Sequence, residues 1–82
     1  MKAYFIGAEK RESKNKNSYY MLYLGSDCKD GYGVRPMTFK ISEAEYKDFE
    51  GFVIGSEITD ISYEVVQEMS GNFRFILKRY TI

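Results

Sequence analysis

The residues best suited to chemistry lie between Lys10 and Gly25. Lys10, Arg11, Lys14 and Lys16 stand in a short Asn/Ser-rich run, and that run leads directly into Tyr19-Tyr20-Met21-Leu22-Tyr23-Leu24. Cations beside flat aromatic faces suit an extended nucleic-acid strand, because the cations hold phosphates while the rings stack on unpaired bases. The same pattern also fits a lysine-rich hairpin loop followed by a strand whose tyrosines only pack, which is what strand aromatics mostly do.

Other residue types offer little for catalysis. The 82 residues include no histidine and one cysteine, Cys28. The usual general base and the commonest metal ligand are therefore missing, and an imidazole-based triad or zinc site is excluded. Asp27 and Asp30 flank Lys29 beside glycines, which is turn chemistry. Glu43 and Glu45 lie two apart, so on a helix they do not face each other. Cys28 can form no intrachain disulfide and has no neighbour that would activate it, so it reads as an ordinary free thiol in a reducing compartment. The expectation is a protein that is not an enzyme and uses no cofactor or metal.

The net charge is zero, but the charge is not evenly spread. Residues 1–40 carry eight basic and four acidic side chains, residues 41–72 carry Lys47 against eight acids, and residues 73–82 add Arg74, Lys78 and Arg79. A bipolar chain of this kind can turn a basic face to a polyanion and an acidic face elsewhere. No apolar run approaches the ~20 residues of a membrane span. Lys2-Ala3-Tyr4-Phe5-Ile6-Gly7-Ala8 is too short for a signal-peptide core, so a soluble cytoplasmic protein is expected.

The elements that must position these residues follow from local pattern. Tyr4, Phe5 and Ile6 predict a first strand over 2–11, with Gly7 marking a bend or bulge. Residues 12–17 form a charged, mobile loop. The second strand, 18–25, places Tyr20, Leu22 and Leu24 on one side and Tyr19, Met21 and Tyr23 on the other. Neither side is polar, so the second must meet a ligand or a subunit. Residues 26–33 are a turn cluster, with Tyr32 exposed between two glycines. The third strand, 34–41, buries Met37, Phe39 and Ile41 and exposes Thr38 and Lys40, and Pro36 confines it to an edge, a bulge or a strand start. Ser42-Glu43-Ala44-Glu45 is a capping box opening a short acidic helix to about Glu50, with Tyr46 and Phe49 on its buried side and Gly51 as its stop. Residues 57–68 and 73–81 are the fourth and fifth strands, joined by a turn at Gln67–Asn72. One 82-residue domain of this size has a thin core and gains from a partner subunit.

Three strands, a short helix and two strands are the layout of an OB-fold-like, five-stranded Greek-key barrel, mainly β, with the helix between strands 3 and 4. The chain resembles the small single-stranded DNA-binding, helix-destabilising proteins of filamentous bacteriophages. The resemblance rests on Lys16-Asn17-Ser18-Tyr19 leading into strand two, on Arg35-Pro36-Met37-Thr38-Phe39-Lys40-Ile41, and on the basic last strand from Phe73 to Tyr80. It implies a cytoplasmic homodimer that coats single-stranded DNA cooperatively during phage or mobile-element DNA replication. It also implies Tyr19 as a stacking residue, Met21 as an apolar contact, Lys14 and Lys16 as loop cations, and Lys78 with Arg79 or Tyr80 in place of last-strand arginines. The chain departs from the family in its acidic, capped helix and in having Met69-Ser70-Gly71 where the last hairpin would carry an aromatic tip.

The expected function is sequence-tolerant binding of single-stranded DNA, with RNA chemically equivalent at this level. Lys10, Arg11, Lys14, Lys16, Lys40 and Lys78 would hold phosphates, while Tyr19, Tyr23 and Tyr32 would stack bases. The alternative is a small protein-interaction module, an adaptor or inhibitor, that works through its acidic helix and fourth strand.

Overall fold

The structure is a computed structural model that describes residues 2–81. Five antiparallel strands, β1 (Ala3–Glu12), β2 (Ser18–Asp27), β3 (Val34–Ile41), β4 (Glu57–Gln67) and β5 (Phe73–Thr81), form one sheet in the order β3-β2-β1-β4-β5. One short helix, α1 (Glu43–Asp48), lies between β3 and β4. The sheet is open: among the described residues no ladder joins its two edge strands, β3 and β5. Those edges still meet through side chains, since the rings of Phe39 and Phe75 lie 6.1 Å apart.

Alternation explains most of the core. Tyr20, Leu22 and Leu24 of β2 pair with Ile41, Phe39 and Met37 of β3, and all but Tyr20 are buried. Pro36 sits on the edge strand, where its missing N–H costs no interior ladder bond. In β1 the register shifts between Phe5 and Gly7. Phe5 is buried and Ala8, three residues on, packs against the same core, so the bulge resets the alternation.

A second irregularity lies in β4, where Asp60 has a positive φ of 55° and the register shifts on both sides of Ser62. Two residues, Asp60 and Ile61, stand against Tyr80 alone, which lets Ile58 and Ile61 both face the core although they are three apart. Thr81 Oγ1 donates to Asp60 Oδ2 at 3.2 Å. On β5 the ladder then passes over Lys78, between the pairs Ser62–Arg79 and Tyr63–Leu77. Leu77 and Tyr80 thereby both pack against the core.

The helix begins as its sequence dictates. Ser42 accepts from the Glu45 amide through Oγ, and Glu45 Oε1 accepts from the Ser42 amide at 3.0 Å. It ends earlier than its pattern suggests, at Asp48, with tighter turns through Phe49 and Glu50 before Gly51 at φ 84°. Phe49 is buried against Phe5 and Phe52, and Tyr46 packs on Tyr20 at 4.8 Å. The 12–17 loop is a compact turn. The Ser13 and Lys16 amides donate to the Asn17 and Ser13 carbonyls, and Ser13 Oγ accepts from the Asn17 amide.

Candidate nucleic-acid interface

Residues paired across an antiparallel ladder share a face. The pairs Arg11–Tyr19, Glu9–Met21 and Gly7–Tyr23 therefore put Tyr19, Met21 and Tyr23 on the side of the sheet away from Leu22 and Leu24. The pairs Met21–Lys40 and Tyr23–Thr38 extend this outward face across β3. All three of those β2 side chains are half-buried.

Tyr19 is the centre of the arrangement. Arg11 Cζ lies 6.0 Å from its ring centroid and Lys40 Nζ 5.6 Å. Both cations are drawn by the negative face of the ring, and together they hold positive charge on both flanks of an accessible aromatic surface. Lys40 has no ion-pair partner among the described residues. Arg11 is lightly held, with Nε 3.9 Å from Glu9 Oε1.

A cleft of about 330 Å³ continues from this face to β5, lined by Met21, Thr38, Lys40, Phe73, Arg74 and Phe75. Arg74 and Lys40 both line it, and Phe73 is 65% exposed. Sequence reading passed over Phe73 and Arg74. Their local signal, an exposed cation between two aromatics at the start of β5, acquires meaning only when β3 and β5 are brought together.

The remaining candidates separate. Lys14 and Lys16 are exposed at the β1–β2 turn, at the Tyr19 end of the face. Lys10 pairs with Tyr20, so it lies on the opposite face from Arg11. Tyr23 is on the outward face but is engaged. Its hydroxyl donates to Glu9 Oε1, and that bond to a carboxylate raises the phenol above its usual range. Tyr32 is fully exposed in the turn at the far end of β2. Eight residues separate Tyr19 from the end of that strand at Asp27, or roughly 26 Å, so Tyr32 belongs to a different part of the surface.

Two of the three last-strand candidates are engaged elsewhere. Lys78 Nζ is 3.1 Å from Glu64 Oε2. Arg79 pairs with Ser62 on the far side of the bulge from Arg74. Tyr80 packs its ring on Phe49 at 5.1 Å and donates its hydroxyl to Asp48 at 2.8 Å. The bulge at Lys78 is the physical reason, because it breaks the alternation that would align Tyr80 with Arg74 and Ile76.

No protein-family profile, curated protein or solved structure matches the chain.

Proposed function

We propose that this chain is an OB-type single-stranded nucleic-acid-binding protein. The observation that carries the proposal is the Tyr19 ring flanked by Arg11 and Lys40 on the outward face of β1–β2–β3. Bases stack on Tyr19 and Phe73, phosphates are held by Arg11, Lys40, Arg74 and the turn lysines Lys14 and Lys16, and Met21 lies between as an apolar contact. This is binding without chemistry on the ligand.

The strand order, the helix between β3 and β4 and the bulge in β1 support a Greek-key barrel of OB type, with β3 and β5 as the pair whose side chains close it. The likeness to filamentous-phage helix-destabilising proteins extends the proposal to a cytoplasmic homodimer serving phage or mobile-element replication. Val65 and Met69 of the β4–β5 hairpin are exposed and would supply apolar surface for a second copy.

The test is a titration of a fluorescent single-stranded oligonucleotide of ~20 bases, sized to the few nucleotides an OB domain covers, at two salt concentrations and with duplex as competitor. Preference for the single strand, steep weakening with salt and loss on Tyr19→Ala are expected. Absence of binding at low salt would overturn the proposal.

One observation favours a second reading, that of a protein-interaction module. An apolar groove beside the acidic helix is lined by Phe5, Ile6, Tyr46, Phe49, Phe52 and Ile54, with Glu50 at its edge and Ile54 76% exposed. Failure of the oligonucleotide titration would turn attention to that groove.

A further inference from the structure

Among the described residues the outward face of β1–β2–β3 carries two acids: Asp27, at the far end of β2 where the Tyr4 hydroxyl donates to it at 3.2 Å, and Glu9, which stands among the tyrosines. Glu9 stands opposite Met21, midway between the pairs that hold Tyr19 and Tyr23. A carboxylate amid groups that would bind a polyanion opposes phosphate binding by simple repulsion. Its surroundings suggest what offsets that cost. Glu9 Oε1 accepts from the Tyr23 hydroxyl and lies 3.9 Å from Arg11 Nε, whereas Oε2 has no partner among the described residues. The side chain is 51% exposed. A carboxylate has about four lone-pair positions, so this one is held in place by one oxygen and left with acceptor capacity on the other.

We propose that Glu9 is a specificity-determining residue that reads the edge of a stacked base and favours bases bearing an exocyclic amino group. The inference rests on the single-strand binding proposed above. In an unpaired strand the Watson–Crick edge is open to side chains. A residue one ladder pair from two tyrosines is within ~7–8 Å of each by backbone position, close enough for a long side chain to meet the edge of a base stacked on either ring. Cytosine N4, adenine N6 and guanine N1 and N2 present donors to a carboxylate. Thymine presents its N3–H between two carbonyl oxygens, which a carboxylate repels. Glu9 therefore adds discrimination against thymine to a surface whose stacking alone is indifferent to sequence.

The competing role is positional: Glu9 would only orient Tyr23 and Arg11. Oligo-dC, oligo-dA and oligo-dT of equal length, titrated into wild type, Glu9→Gln and Tyr23→Phe at one salt concentration, separate the two roles. Removing the charge in Glu9→Gln should tighten every oligonucleotide but oligo-dT most, lowering the dC-to-dT affinity ratio about 5-fold or more, the low end of what a base-edge contact discriminates. Tyr23→Phe removes the hydroxyl while keeping the ring and the carboxylate, which Arg11 still neighbours, and should move the ratio much less than Glu9→Gln does. Equal shifts for dC and dT in Glu9→Gln, or the same ratio change in Tyr23→Phe, would overturn base reading in favour of positioning. If wild type binds none of the three, the single-strand proposal fails and this one with it, an outcome distinct from binding with an unmoved ratio.

Discussion

The Tyr80 hydroxyl donates to Asp48 at 2.8 Å, joining the end of β5 to the last turn of α1 across 32 residues of chain. Burial first, and then the bond to Asp48, raises this phenol well above its ordinary pKa of 10.0. Tyr80→Phe is expected to destabilise the fold by about 1 kcal/mol, the usual net worth of such a bond, read as a lower urea midpoint. The pH dependence follows from the sign of the shift. The proton is held more tightly in the folded chain, so the contribution is complete below the unfolded pKa of 10.0 and disappears only as pH rises through the higher folded value. The difference between wild type and variant should stay level from about pH 7 to 9. Oligonucleotide affinity should be unchanged, since Tyr80 serves the core.

Tyr19→Ala removes the ring between Arg11 and Lys40. It should weaken single-strand binding by ~1–3 kcal/mol, the range for loss of one stacking platform. Tyr19→Phe keeps the platform and should stay near wild type. Fluorescence anisotropy at fixed salt measures both.

Lys40 and Arg74 line one cleft, while Lys78 is held by Glu64 at 3.1 Å. Lys40→Gln and Arg74→Gln should each reduce the slope of log affinity against log salt by about 0.7, the release expected per phosphate contact on a single strand. Lys78→Gln should leave that slope unchanged. Titration at four salt concentrations distinguishes the two behaviours.

Gly25 leaves room for its neighbours: a Cβ there would stand 2.2 Å from Val34 Cγ1 and 3.0 Å from Ile6 Cδ1. Gly25→Ala should destabilise by ~1–3 kcal/mol, as overpacking does. Adding Val34→Ala should recover most of the loss. Thermal or urea unfolding of the single and double variants provides the check.

The legible parts of the chain were those whose causes are local. Strict alternation and Pro36 mark β3 at the bounds it occupies, Val34–Ile41. Ser42 and Glu45 announce the helix start that their hydrogen bonds make. Gly7 points to the bulge in β1. The bulge at Asp60 had no such mark, because most aspartates keep negative φ and the Thr81 hydroxyl that bonds this one lies 21 residues away. The skipped Lys78 was equally hidden, and with it the fate of Tyr80. Lys10 and Arg11 look like one basic patch in the sequence, but a two-residue period sends them to opposite faces. Phe73 and Arg74 acquire their neighbours only through the approach of β5 to β3, which involves residues more than 30 positions apart.

β1 meets β4 through two ladder pairs, Ala3–Ile58 and Tyr4–Glu57, whereas it follows β2 over nearly its whole length. Among the described residues, seven of the buried core side chains, Ala3, Phe5, Leu22, Leu24, Met37, Phe39 and Ile41, belong to β1–β3, and β5 contributes none. The molecule is thus a three-stranded meander to which a hairpin is attached by a narrow ladder seam and by the partly buried side chains of Phe75, Leu77 and Tyr80. Amide hydrogens in β5 should exchange with solvent deuterium by partial openings that leave the meander intact, while those at the centre of β2 wait for global unfolding. Half of the proposed cleft, Phe73, Arg74 and Phe75, rides on the part that opens first. A bound strand spanning the cleft would act as a stitch across that seam and slow exchange in β5 far more than in β2.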